Sequence, residues 1–441
     1  MPAHPQRRSL RGMRSWSVPG ALGFGREAFE GAAILEEVPG ELAPVLWQVL
    51  RDVDLWLEAD GRRLFARGAA PNRARMIDEL ALDDEGVRQS LAVIAGCLCG
   101  ARGDTAQVSA ACAALARWAG ERGFARTAFA AALRAAAASP REPAHSYLAG
   151  VMARRAADYV RAEAWLKRAR ALALRLGDGR HYGLSLMSLA NLHMQRFEKG
   201  LAVRRLHQAL GAARRFAVWD LRGLAHHDLF LINVTDGTTA QAARHALGAV
   251  RGYGRFHPRL PALAHDVAWF LILQGRPGRA LPILRALDDR PMRAAERLLA
   301  LSTVARAAGA AGEVSAFWEA WGEFWKCLDA VPSHDRAAES LVNLGWGAAS
   351  LRDATRMEVA ARETLRIAMP RDQGQEVQAA QEMLACLAAG RFPEPPGVAA
   401  RPDADVRDAL AAADLLLRQL GQSAAFVRGN LASAGPRPMS G

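Results

Sequence analysis

The chain has 441 residues, 51% of them hydrophobic and 23% charged, and a formal net charge of +12 at neutral pH. This apolar content excludes a disordered chain, and the length allows one large domain or two to three ordinary ones. No apolar run approaches the roughly 20 residues that span a bilayer, so we expect a soluble, cytoplasmic protein without a membrane contact.

Alanine and leucine dominate the apolar residues. Both residue types lose little side-chain freedom in a helix and favour it strongly. No run of Val, Ile, Thr and aromatic residues shows the period-two alternation that is typical of a half-buried strand. The sequence therefore predicts an all-α fold.

The N-terminal part of the chain changes character once before any repeat begins. Residues 1–40 are rich in Gly, Pro and Arg and have no apolar periodicity, which predicts a mobile tail. Residues 41–104 contain two helical patterns, which begin at Leu42 and at Leu91. These patterns predict an N-terminal helical region of extra helices.

An internal repeat follows from about residue 105. Two windows, 224–249 and 262–287, align without a gap at a spacing of 38 residues. The aligned residues are His227-Asp228 with His265-Asp266, Gly237 with Gly275, and Ala242 with Ala280. Each window reads as a helix, a Gly-containing turn and a second helix. Neither helix buries its apolar face alone, so we expect neighbouring pairs to stack.

The same unit recurs upstream with small residues at regular places, namely Gly150, Tyr159, Ala162 and Ala169, with Ala128 34 residues before Ala162. This arrangement resembles the tetratricopeptide repeat (TPR) family, in which small residues in both helices flank an aromatic residue near the turn. The resemblance covers roughly residues 105–390. It implies a right-handed α-solenoid, and it implies binding of other proteins rather than catalysis.

The chain beyond the array divides into three segments. Residues 391–402 contain several prolines, which interrupt a helix and predict a linker. Residues 403–421 form an amphipathic pattern that predicts a C-terminal capping helix. Residues 422–441 are predicted to be a mobile tail.

The TPR resemblance also implies where a ligand binds. In that family, helix A residues around the small position form the inner, concave face. The residues that this rule places in a peptide-binding groove are His227, Asp228, His265, Asp266, Trp269, Asn343 and Trp346. Trp269 and Trp346 are the expected aromatic anchors of a bound peptide or helix.

The His-Asp pairs have two further interpretations. They brace the packing between repeats, or their imidazoles and carboxylates bind a metal ion. Metal binding is the weaker interpretation, because no His-x3-His pair is present and Cys97 and Cys99 project from different sides of a helix. The five cysteines lack framework spacing and are expected to be reduced thiols. We predict no metal and no cofactor.

The net positive charge is concentrated in one stretch. Residues 154–222 contain fifteen Arg and Lys against five Asp and Glu, a net charge of +10. The candidate electrostatic docking residues are Arg154, Arg155, Arg204, Arg205, Arg214 and Arg215. A solvated helix face is the ordinary explanation of such residues. The alternative is a docking surface for an acidic partner, which we expect to be a protein rather than a nucleic acid.

The sequence contains none of the motifs G-x-x-x-x-G-K-[ST], G-x-S-x-G or H-E-x-x-H, so we predict no enzymatic activity. The first hypothesis is a bacterial-type scaffold or adaptor that binds a peptide or helix in a concave groove. The second is a TPR-type sensor or regulatory protein, in transcription regulation or signalling, that responds to a peptide or small ligand. The third and weakest is a metal-dependent enzyme at the His-Asp cluster.

Overall fold

The computed structural model describes residues 31–58, 69–80, 84–99, 104–288, 294–330, 336–395 and 402–433. Within these residues the chain forms twenty α-helices and one short 3-10 helix, and it forms no strand. The predicted all-α fold is confirmed. None of the described helices combines the length and the apolar character that crossing a membrane requires.

The chain divides into two compact units, and the boundary falls after Leu221. Each unit has its own cluster of buried apolar side chains. The helices that belong wholly to the N-terminal unit are α1 (Gly31–Glu37), α2 (Leu42–Glu58), α3 (Ala69–Glu79), α4 (Glu85–Cys99), α5 (Thr105–Glu121), α6 (Ala125–Ala138), α7 (Pro143–Arg155), α8 (Tyr159–Leu176), α9 (Gly179–Gln195) and α10 (Lys199–Arg215).

Helix α11 (Trp219–Thr235) contains the boundary, and most of it lies in the C-terminal unit. The remaining helices of this unit are α12 (Thr239–Tyr253), α13 (Leu260–Leu273), α14 (Pro277–Asp288), α15 (Ala294–Ala311), α16 (Val314–Ala330), α17 (Ala337–Ser350), α18 (Ala354–Ala368), α19 (Gly374–Ala388) and α20 (Asp403–Ser433). The 3-10 helix Met369–Arg371 follows α18.

From α5 to α18 the helices form seven consecutive pairs, each joined by a turn of two or three residues. Every one of these turns contains one residue with a positive φ. In chain order these residues are Gly123, Ala157, Phe197, Gly237, Gly275, Gly312 and Arg352, spaced 34 to 40 residues apart. A left-handed residue just after a helix ends it and satisfies its last carbonyl groups. The repeat expected from the sequence is therefore present as a recurring local geometry.

Small residues allow the two helices of a pair to approach closely. A Cβ atom at Gly150 of α7 would lie 2.7 Å from Cγ of Leu166 in α8. Ala162 and Ala169 of α8 are fully buried. The positions that carry the TPR resemblance are thus the positions where the helices touch.

The described end of the predicted N-terminal tail contains a helix. Residues 31–37 form α1, and Ile34 and Val38 are buried in the core of the N-terminal unit. Oε2 of Glu37 accepts hydrogen bonds of 2.8 Å from both the backbone N–H and the hydroxyl of Thr127 at the start of α6. Residues 1–30 lie outside the described residues.

Helix α20 does not lie where the sequence predicts a cap. It packs against α12, α14 and α13 rather than closing the last pair of the array. Ion pairs from Arg276 to Asp403 and from Arg279 to Asp414 fix its position along α14. Its backbone continues to residue 433, past the predicted end at 421. Residues 434–441 of the predicted tail, and 396–401 of the predicted linker, lie outside the described residues.

Candidate functional site

His227 of α11 lies at the centre of a hydrogen-bonded chain in the C-terminal unit. Its Nε2 lies 2.8 Å from Oδ2 of Asp266 in α13, and its Nδ1 lies 3.0 Å from the hydroxyl of Tyr253 in α12. The carboxylate only accepts, so Nε2 carries a hydrogen. His227 is 6% exposed, and both ring nitrogens are engaged. The imidazole therefore joins three helices.

Asp266 and His265 extend this contact to the next pair. Nδ1 of His265 lies 3.6 Å from Oδ1 of Asp266, and Nε2 of His265 lies 3.1 Å from the hydroxyl of Thr303 in α15. Burial raises the pKa of Asp266, but the hydrogen bonds and charges of the two histidines outweigh it and hold the pKa at about 2. The carboxylate is charged at neutral pH and braces α13 between its neighbours.

Asp228 has the opposite electrostatics, although it aligns with Asp266 at the 38-residue spacing. Burial raises its pKa against the opposing influence of His227 and Arg259. Its Oδ2 is buried and accepts no hydrogen bond from the described residues. Two carboxyl groups at equivalent repeat positions therefore differ in their tendency to ionise, because only Asp266 receives histidine hydrogen bonds.

A second polar chain joins α13, α15 and α17. The guanidinium of Arg306 stacks over the ring of Trp269, with Cζ 4.5 Å from the ring centroid. Nη1 of Arg306 donates a 2.9 Å hydrogen bond to Oδ1 of Asn343. Arg306 is only 4% exposed, and burial lowers its pKa to about 10. One face of Trp269 is thereby covered by a neighbouring repeat.

The structure separates the predicted groove residues into two groups. His227, Asn343 and Trp346 are buried, whereas Asp228, His265, Asp266 and Trp269 are partly exposed. Trp346 is 2% exposed, so the expected anchor role at this position is corrected: α17 packs against α15, α16, α18 and α19 and leaves this side chain buried. His227, His265 and Asp266 make hydrogen bonds between neighbouring helices, whereas Oδ2 of Asp228 has no such partner among the described residues.

Two arrangements bear on metal or nucleophilic chemistry. In the described part of the chain, no three His, Cys, Asp or Glu side chains converge as a metal site requires. The hydroxyl of Ser109 in α5 lies 2.8 Å from Nδ1 of His145 and 2.6 Å from the carbonyl oxygen of Ala135. The carbonyl takes the hydroxyl hydrogen, so Nδ1–H of the ring donates to Ser109 and does not act as its base.

The basic stretch, residues 154–222, lies mostly in the N-terminal unit, and its acidic side chains pair with basic side chains of the same stretch. All five acidic side chains have a basic partner within the stretch. The pairs are Asp158–Arg161, Glu163–Lys167, Glu163–Arg196, Asp178–His181, Glu198–His193 and Asp220–Arg180. Among the described residues, Arg154, Arg155, Arg204, Arg205 and Arg214 form no ion pair. The acidic side chains of this stretch therefore do not neutralise its excess of positive charge.

The predicted docking arginines occupy different environments. Arg154 and Arg155 end α7, and Arg214 and Arg215 end α10, where positive charge is stabilised by the helix dipole. Burial and the like charge of Arg155 lower the pKa of Arg154.

On α10, Arg204 is exposed and Arg205 is half-buried. Burial and the charge of Arg205 lower the pKa of Arg170 in α8. Two places in the N-terminal unit thus hold like charges close together.

Sequence reasoning missed several residues of these clusters. Tyr253 and Arg306 were not identified, although Arg306 lies 37 residues from both Trp269 and Asn343. The repeat spacing was the signal that would have found Arg306. Tyr253 gave no such signal, because it contacts His227 from α12, the second helix of its pair.

No protein-family model matches this chain, and no curated protein matches its sequence.

Proposed function

We propose that this chain is a TPR-like helical-repeat protein that binds an acidic segment of another protein on the arginine-rich surface of its N-terminal unit. The candidate residues are Arg154 and Arg155 at the end of α7, and Arg204, Arg205, Arg214 and Arg215 on α10. The observation that carries the proposal is that every acidic side chain of the same stretch already has a partner within it, Asp158, Glu163 and Asp220 with arginine or lysine and Asp178 and Glu198 with histidine. A net positive charge that exceeds the acidic residues of its own stretch attracts an anionic partner.

The repeat geometry supports the TPR-like part of the proposal. Seven helix pairs with a left-handed turn residue recur at a spacing close to that of the family, and Gly150 and Ala162 allow close contact where the family has small residues. We propose that these pairs stack as an α-solenoid. Arrays of this kind present long surfaces built from equivalent positions of successive repeats, which suit extended segments of a partner.

The electrostatics of the surface favour a partner with carboxylates. Holding Arg154 half-buried beside Arg155, and Arg170 beside Arg205, costs free energy in the isolated protein, as their lowered pKa values indicate. A bound carboxylate relieves this repulsion and accepts charge-assisted hydrogen bonds. Each exposed pair contributes only about 0.2–1 kcal/mol, so binding requires several acidic residues and weakens with salt.

The polar residues of the C-terminal unit suit this function less well. His227 and Asn343 are buried and bonded to neighbouring helices, and Trp269 already stacks on Arg306. Their polar groups already make contacts within the protein. We therefore assign partner binding to the N-terminal unit, and we assign bracing to the polar chains of the C-terminal unit.

The test uses a short fluorescein-labelled polyglutamate peptide and fluorescence anisotropy at about 0.05 and about 0.15 M salt. Wild-type protein is expected to bind it, more weakly at the higher salt. Arg204→Glu with Arg205→Glu should weaken binding about tenfold. Reversal at Arg205 also removes its repulsion of Arg170, so folding should be retained.

The matched control is Arg244→Glu with Arg251→Glu, which changes the net charge equally on the exposed surface of α12. This control should bind almost as the wild type does. Equal losses in both variants would mean that only net charge matters, and this would overturn the assignment to the N-terminal unit. If a single-stranded RNA oligonucleotide binds more tightly than polyglutamate does, and this binding depends on Arg204 and Arg205, the acidic protein segment is overturned as the partner. That result would indicate a nucleic acid instead.

A further inference from the structure

The turn between α9 and α10 holds a phenylalanine in a conformation that favours glycine. Phe197 has a φ of +60° and is 96% exposed. Four of the seven equivalent turns use glycine here, and two others carry Ala157 and Arg352. A left-handed conformation is strained for a bulky residue, and an exposed ring gains nothing from burial. The fold itself therefore does not account for an aromatic side chain at this turn.

A second exposed apolar side chain lies beside the neighbouring turn. Val160, at the start of α8, is 77% exposed. Arg196, which precedes Phe197, donates from Nη2 to the carbonyl oxygen of Tyr159 at 3.0 Å, and its Nη1 lies 2.6 Å from Oε2 of Glu163 in α8. These contacts tie the two turns together. Phe197 and Val160 are thus presented along one edge of the N-terminal unit, which we call the turn edge.

The charges around the turn edge complement an acidic segment. Its three acidic side chains are occupied, because Asp158 pairs with Arg161, Glu163 pairs with Lys167 and Arg196, and Glu198 pairs with His193. Arg154 and Arg155 end α7 at the same edge. Positive charge therefore lies beside the exposed apolar side chains.

We propose that the turn edge is the specificity site of the acidic partner, and that Phe197 is its anchor for one large apolar side chain flanked by acidic residues. This inference rests on the proposed function, since it takes acidic recognition by the N-terminal unit as given. Aromatic and arginine side chains together are typical of the few residues that dominate binding free energy at protein interfaces. The charges bring the segment to the surface, and the ring selects for the apolar residue.

The test compares two labelled peptides, polyglutamate and the same peptide with one central leucine. Wild-type protein should bind the leucine peptide about tenfold more tightly, because burying a leucine side chain against the ring removes apolar surface from water. Phe197→Gly should abolish this preference and leave polyglutamate binding unchanged. Glycine adopts the left-handed conformation readily, so the variant retains the turn.

The matched control is Trp219→Ala, which removes an aromatic ring that is 63% exposed in the same basic stretch but at the start of α11. The control should keep the preference for leucine. Equal binding of both peptides to the wild type, or loss of the preference in Trp219→Ala and not in Phe197→Gly, overturns the anchor. Absence of polyglutamate binding overturns the proposed function instead. In that case, tighter binding of the leucine peptide that still depends on Phe197 would support Phe197 as the anchor, although the arginines would not bind the acidic residues.

Discussion

Nε2 of His227 lies 2.8 Å from Oδ2 of Asp266, and this contact joins the first helices of two successive pairs. Two further contacts continue the series, His265 with Thr303 and Arg306 with Asn343. All three pairs are separated by 37 to 39 residues. A polar contact therefore recurs at each of the three steps between first helices, from α11 to α13, from α13 to α15 and from α15 to α17. Because most of these groups are buried, each contact makes the register between repeats more specific.

The charge of Asp266 should stabilise the protein in a defined pH range. Its pKa is about 2 in the folded state against 3.8 for an ordinary carboxyl. A depressed pKa gives stability that is present above 3.8 and is lost as the pH falls towards about 2. We expect Asp266→Asn to lower the free energy of unfolding by about 2 kcal/mol at neutral pH, and this deficit should vanish near pH 2. Urea unfolding at a series of pH values measures it.

Asp228→Asn provides the control of opposite sign. Burial raises the pKa of Asp228, so its carboxyl gives stability that is present below 3.8 and is lost as the pH rises through the raised pKa. The variant should be at least as stable as the wild type at neutral pH. If both asparagine variants lose the same stability across the whole range, the histidine contacts are not what lowers the pKa of Asp266.

The hydrogen bond from Arg306 to Asn343 gives a second prediction. Asn343→Leu removes the acceptor of a buried guanidinium, and we expect a loss of about 2 kcal/mol in the free energy of unfolding. Arg306→Met with Asn343→Leu should be less destabilised than the sum of the two single variants, because the buried charge has gone as well. Chemical unfolding of the four proteins gives the coupling energy. Strict additivity would argue against the contact.

The local helical units could be predicted from the sequence because they depend on local signals. The predicted turns at Gly237 and Gly275 both have a positive φ and lie between paired helices. The amphipathic pattern of residues 403–421 also predicted a helix correctly. Its position could not be predicted, because packing on α12 and α14 depends on contacts more than 120 residues away in sequence, which no periodicity specifies.

The candidate site was harder to predict for a related reason. The 38-residue spacing placed His227 and His265 at equivalent positions, but equivalence does not say whether a side chain faces solvent or the next repeat. Trp346 illustrates this, since α17 packs against four helices and eleven of its fourteen residues are buried. A helix covered on several sides has no exposed stripe, and the family pattern for an open groove does not apply to it.

The contact between Gly309 of α15 and Gly347 of α17 gives a third prediction. A Cβ atom at Gly309 would lie 2.2 Å from the carbonyl oxygen of Gly347, so the two backbones would have to separate. We expect Gly309→Ala to lower the free energy of unfolding by about 3 kcal/mol. Gly322→Ala in α16 is the control, since nothing lies within 4 Å of its Cβ position, and it should gain about 0.5–1 kcal/mol. Thermal unfolding followed by circular dichroism compares them, and similar shifts in both would contradict the close approach.

Phe197 gives the last prediction, which concerns stability and not binding. Its left-handed conformation costs about 1–2 kcal/mol, whereas glycine adds about 0.4–1 kcal/mol of conformational entropy to the unfolded chain. Because the ring is 96% exposed, its removal sacrifices almost no packing. We therefore expect Phe197→Gly to raise the free energy of unfolding by about 0.5 kcal/mol, whereas Phe197→Ala, which keeps the strain, should change it little. Urea unfolding distinguishes the two variants. A marked loss of stability in both variants would show that the ring of Phe197 stabilises the folded turn. The presence of an aromatic residue at this turn would then be explained by the fold, without a partner.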